Sequence, residues 1–118
     1  MSHGPAWEKS RRFAVRIVRL YQHLSGQKKE FVLARQILRS GTSIGANLAE
    51  AECAISRRDF QAKTYVALKE CAETEYWLDL LHETDYLTDD EFQSIARDCQ
   101  ELRKILSATT KTLTRNPE

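Results

Sequence analysis

Both prolines of this 118-residue chain, Pro5 and Pro117, lie at its ends, so nothing between residues 6 and 116 forbids a helix outright. From Trp7 to Leu24 the apolar residues Phe13, Ile17, Leu20 and Leu24, with Ala14, Val18 and Tyr21, recur at helical spacing, while Arg12, Arg16, Arg19 and His23 take the opposite side. The residues SGQKK at 25–29 read as a loop in which Gly26 is placed for a left-handed cap. A second helix is expected from about Glu30 to Cys53. Ser56 with Asp59, and Thr88 with Glu91, pair a hydroxyl with an acid three residues on, which is the start signal of a helix. These predict a third helix to about Thr84 and a fourth to about Leu113.

No segment alternates as a half-buried strand does. Four amphipathic segments joined by short loops predict an all-α chain, an antiparallel up-down-up-down four-helix bundle in a single domain over residues 7–113. Residues 1–6 are expected to be a disordered N-terminus and 114–118 a frayed tail. The third helix departs from simple amphipathicity, since KTYVALKECAETEYWLDLL is apolar on more than one face. Self-association is the expected remedy.

The stretch RSGTSIGANLAE at 39–50 interrupts this pattern with Gly41, Gly45, two serines, a threonine and an asparagine. It is not a Walker loop, because no lysine follows the second glycine, and the helical run before it is not the strand a dinucleotide fingerprint needs. Small residues in a helix instead allow a neighbour to approach closely, at about 1 kcal/mol per Gly relative to Ala. Gly41 and Gly45 are therefore read as helix-packing positions.

Catalytic chemistry finds no foothold. A di-iron bundle needs Glu-x-x-His on two helices, and none occurs; His3, His23 and His82 are scattered, and no histidine stands at helical spacing from Ser40, Ser43 or a cysteine. No enzyme, cofactor or metal is expected. Cys53, Cys71 and Cys99 are odd in number and widely spaced, which fits a reduced cytosol, and no apolar run approaches a membrane span. A soluble cytoplasmic protein is the expectation.

The polar residues Asn47, Glu50, Lys63, Glu70 and Glu73 fall where the second and third helices can meet, and are expected to form one hydrogen-bonded network that fixes helix register. Charge is uneven. Residues 1–58 hold 11 Lys/Arg against 4 Asp/Glu, and residues 59–118 hold 7 against 13. Such halves can pair within or between subunits, or leave a basic face for a polyanion. Arg11, Arg12, Arg16 and Arg19 are the candidate nucleic-acid contacts.

RSGTSIGANLAEA (39–51), SRRDF (56–60) and ALKECAETEYWLDLL (67–81), in that order, resemble the bacterial four-helix bundle family also known as 23S rRNA intervening-sequence proteins. The likeness runs from about Lys9 to Thr112. It implies a bundle assembled as a ring-like homopentamer, and kinship with the accessory variability determinant of diversity-generating retroelements, which binds reverse transcriptase and nucleic acid through basic surface. It implies no enzymatic activity. The expected function is a non-enzymatic oligomeric scaffold for RNA, single-stranded nucleic acid or a ribonucleoprotein partner; the alternative is a protein–protein module without nucleic acid.

Overall fold

Pro5 opens the first helix, where its missing N–H leaves no bond unmade. The computed structural model describes residues 4–115, in which α1 spans Pro5–Gly26, α2 Val32–Glu52, α3 Arg57–Glu83 and α4 Asp89–Arg115. Helix therefore begins before Trp7 and continues past Leu113; the ends expected at 1–3 and 116–118 lie outside the described residues.

The caps follow from side-chain chemistry. At α4, Thr88 Oγ1 accepts from the Glu91 amide at 3.2 Å and Glu91 Oε1 accepts from the Thr88 amide at 2.9 Å. That backbone hydrogen bond holds the Glu91 carboxyl below the usual carboxylate range. At α3, Ser56 Oγ accepts from the Asp59 amide at 3.0 Å, while Asp59 Oδ2 reaches back to the Ile55 amide at 3.3 Å. The end of α3 is closed by Asp85 in the left-handed region, with Asp85 N–H on His82 O at 3.1 Å and Tyr86 N–H on Leu81 O at 2.9 Å.

Gly26 does not take the left-handed cap expected of it. The amides of Gln27 and Lys28 both bond to His23 O, at 2.9 and 3.2 Å, which carries the helical turn past Gly26; the left-handed residue is Lys29, at φ 57°. Glu30 is consequently left outside α2, where its Oε1 accepts from the Ala34 amide at 2.9 Å and caps the helix it was expected to belong to.

Each helix packs on the next, and α4 closes back onto α1. Phe13, Ile17, Ile37, Ile44, Leu78 and Leu102 are among the fully buried side chains of the core. At mid-height α1 approaches α2 over glycine: a Cβ on Gly41 would lie 2.7 Å from Ile17 Cγ1, and one on Gly45 would lie 3.2 Å from Ser10 Oγ. The third helix reverses the ordinary pattern. Up to Thr74 its buried face carries Thr64, Ala67, Cys71 and Thr74, followed by Leu78 and Leu81, whereas Tyr65, Val66 and Tyr76 point outward. Small residues face inward there because α3 packs against both α2 and α4.

Candidate functional site

The polar residues gather at the α2–α3 seam around a residue that spacing alone did not single out. Arg39 donates through Nη1 to Glu70 Oε2 at 2.9 Å and through Nη2 to Glu73 Oε2, which also accepts from Trp77 Nε1 at 2.9 Å. The two glutamates hold the guanidinium further toward its charged form, Glu73 most strongly, and the guanidinium followed by the indole N–H holds the Glu73 carboxyl below the usual range. Behind this cluster the buried hydroxyls of Ser40 and Thr74 lie 3.0 Å apart, and Thr74 Oγ1 also donates to Glu70 O at 2.8 Å.

The single network expected of Asn47, Glu50, Lys63, Glu70 and Glu73 is divided: Glu70 and Glu73 share Arg39, Glu50 and Lys63 pair apart from them, and Asn47 joins neither. Lys63 Nζ pairs with Glu50 Oε1 at 2.9 Å on the surface, with side chains 36% and 59% exposed. Asn47 Nδ2 donates to Ser43 O in its own helix at 2.9 Å. The reason is axial. Seven residues of helix separate Lys63 from Glu70 by roughly 10 Å, and the antiparallel neighbour therefore offers each a different partner.

The four arginines of α1 do not share a face. Arg16 turns to α4, with Nη1 2.7 Å from Asp98 Oδ2 and Nη2 3.0 Å from Ser94 Oγ. Lys9 pairs with Glu101 on the same seam at 2.6 Å. Arg19 borders an open groove of about 580 Å³ between α1 and α4, whereas Arg11 stands on the other flank, beside Trp7, Gly45 and Ala49 of the α1–α2 groove. Arg11, Arg12 and Arg19 are exposed.

Folding redistributes the charge. The contacts of Ile17 with Gly41, Ser40 with Thr74 and Cys71 with Cys99 lie at one level, because antiparallel helices meet there. Below that level, residues 5–16, 42–70 and 100–115 hold 12 Lys/Arg against 6 Asp/Glu; above it, residues 18–40 and 72–98 hold 6 against 10. The asymmetry between the halves of the sequence is thus an asymmetry between the ends of the bundle. Lys104, Lys111 and Arg115 belong to the positive end and were not singled out by the α1 pattern; the signal that would have found them is a run from Leu102 to Pro117 without a single acid.

Among the described residues no group of three His, Cys, Asp or Glu side chains is placed to hold a metal ion. The Sγ atoms of Cys71 and Cys99, distant in sequence, lie 3.7 Å apart as buried free thiols, and contact with Cys71 together with burial pushes the Cys99 thiol well up. Among the described residues no helix is long and apolar enough to cross a membrane.

The family model for the 23S rRNA-intervening sequence protein matches residues 4–108. The chain belongs to that family. The crystal structure of a protein of unknown function from the S23 ribosomal protein family of Bacteroides thetaiotaomicron VPI-5482 is similar to it at 55% identity and a TM-score of 0.88, covering 90% of this chain and 98% of that one. No curated protein matches. Membership in the 23S rRNA-intervening sequence protein family fixes the four-helix bundle and carries no assigned activity, so function has to be argued from the surface.

Proposed function

We infer that this chain is a non-enzymatic, oligomeric scaffold that binds RNA or a ribonucleoprotein partner through the positive end of its bundle. The observation that carries the reading is the segregation of charge along the long axis, 12 Lys/Arg against 6 Asp/Glu at one end and 6 against 10 at the other. Phosphate neutralisation supplies the affinity and base identity contributes little. Arg11 and Arg12 serve as contacts at that end, while Arg16, already paired with Asp98, holds α4 in place. Copies assemble through the outer face of α3 around Tyr76, which is 59% exposed and stands about 16 Å along the helix from Tyr65, into the ring-like homopentamer that the resemblance implies. The setting is the bacterial cytoplasm, where buried Cys71 and Cys99 stay reduced.

The test is retention of a structured RNA by purified protein over a salt series. Binding is expected at low salt, to fall steeply as salt rises, and to weaken when Arg11 and Arg12 are both changed to Glu. Absence of binding at low salt, or binding indifferent to both salt and charge reversal, would overturn the reading. The second reading, a protein–protein module, is favoured by the same exposed face of α3. Partners that survive nuclease treatment in a pull-down would support it over the first.

A further inference from the structure

Along the outer face of α4, Arg97, Lys104 and Lys111 recur every seven residues, and Arg115 follows one turn after the last. All four are exposed, and none has a carboxylate partner among the ion pairs of the described residues, in contrast to Arg103, which is held by Glu75 at 2.8 Å. Two concavities flank this row. One of about 460 Å³ runs past Lys104, Ser107 and Ala108 to Lys111. The next, of about 400 Å³, begins at Lys111 and is walled by Tyr65 of α3, with Thr114 and Arg115 opposite. Lys111 lines both, so the two adjoin at its side chain and make an open groove along one flank of α4. The small side chains of Ser107 and Ala108 line its first part, and in its second an aromatic ring 54% exposed stands with two cations.

We propose that this groove is a binding site for single-stranded nucleic acid, in which Lys104, Lys111 and Arg115 hold successive phosphates and the Tyr65 ring stacks on an unpaired base. The proposal rests on the nucleic-acid reading above and deepens it by naming the strand state and the residues. Cations spaced along a groove would serve any polyanion; the ring is what selects. An aromatic face is of use to a base only when that base is free of its own stack, as in a single strand or a loop, and sequence-tolerant stacking between phosphate-binding cations is the common design of such grooves. Lys104 and Lys111 lie about 10 Å apart along the helix, a distance a flexible single strand spans in one or two nucleotides. An acidic peptide would satisfy the cations and leave Tyr65 without a role.

The test compares a 12-nucleotide single strand carrying 2-aminopurine, the duplex of the same sequence, and a poly-glutamate peptide, each titrated against native protein and the Tyr65→Ala, Tyr65→Phe and Lys104→Glu/Lys111→Glu variants at fixed salt. Tyr65→Ala is expected to weaken the single strand by roughly tenfold or more, to abolish the quenching of 2-aminopurine, and to leave the duplex unchanged, whereas Tyr65→Phe retains both. The double charge reversal is expected to weaken single strand and duplex alike and to flatten the salt dependence. Thermal melting and sizing of Tyr65→Ala verify that fold and assembly persist; Tyr65→Phe with Lys104→Glu/Lys111→Glu decides the matter if they do not. If the protein binds nucleic acid and both Tyr65→Ala and the charge reversal leave it intact, the groove is wrong and the broader reading survives. Peptide binding as tight as the strand and indifferent to Tyr65 would assign the groove to an acidic protein instead. No nucleic acid bound by native protein at low salt would overturn both.

Discussion

Toward α2, the first helix meets glycine; toward α4, it meets the ends of long charged side chains. On the first flank Gly41 lets Ile17 sit almost against the α2 backbone, and nothing but hydrogen occupies the space a methyl would need. On the second, Lys9 reaches Glu101 and Arg16 reaches Asp98 across a seam that leaves a groove of about 580 Å³. The α2–α3 seam lies between these extremes, with buried hydroxyls inside and the half-exposed Arg39 outside. Close steric contact tolerates almost no change and is indifferent to solvent conditions. Pairing of exposed charges is forgiving, and it answers to salt and pH.

The largest effect expected is at Gly41. Gly41→Val would drive branched carbons into a buried, β-branched Ile17 that cannot rotate aside, a loss of about 2–3 kcal/mol by the usual scale of overpacking. Urea melts at low and high salt should give the same loss. A loss below about 0.5 kcal/mol would mean that the two helices separate easily and that the contrast between the flanks is false.

Next in size is Arg39→Ala, which leaves Glu70 and Glu73 facing one another without the cation between them. Glu70 is only 15% exposed but Arg39 is 51% exposed, so about 1 kcal/mol is expected, the upper end for a partly screened pair. The same cluster sets an acid limb. Glu73 has its folded-state pKa depressed, so its stabilisation is present above the ordinary carboxylate pKa near 4.3 and is lost as pH falls through the folded value. Melting temperature followed downward from neutral pH should therefore fall less for Glu73→Gln than for native protein, and parallel curves would remove the cluster from the account.

Smaller again is Asp98→Asn on the α1–α4 seam. Both partners are more than a third exposed, and a loss of about 0.2–1 kcal/mol is expected, shrinking further in high salt. A loss comparable with that of Gly41→Val, unmoved by salt, would show that this flank is as tightly closed as the other. The smallest effect belongs to Gly45→Ala. Its new methyl meets Ser10 Oγ at 3.2 Å, a slight crowding that the gain of about 1 kcal/mol in helix propensity offsets, so its melting temperature should match or exceed that of native protein.

The starts of α3 and α4 were legible because they are local: each cap hydroxyl accepts from the amide three residues on, and Glu91 completes the box on the Thr88 amide, whereas Asp59 reaches one residue further back, to the Ile55 amide. So was the class of fold, which needs only apolar periodicity and the absence of interior proline. The candidate site was legible in part. Glu70 and Glu73 stood out as a pair on one face, but Arg39, their cation, lies a whole helix away in sequence, and of the partners expected for Lys63 the opposing register keeps Glu50 and not Glu70. Similarly, α3 carries its tyrosines outward and its threonines and cysteine inward, because along Thr64–Thr74 two close neighbours favour small residues on the buried face, before Leu78 and Leu81 take it over.

By itself, then, the sequence determined four helices, where the last two start, and that glycine in the second permits a close neighbour. Only the tertiary structure decided which neighbour, and it chose α1. The antiparallel arrangement set Cys71 against Cys99, took Arg16 out of the basic stripe, and turned a charge difference between the two halves of the chain into one between the two ends of the bundle. Helix formation is written in residues three and four apart, whereas charge on a surface depends on which distant residues share a level, and that is fixed only when the helices pack.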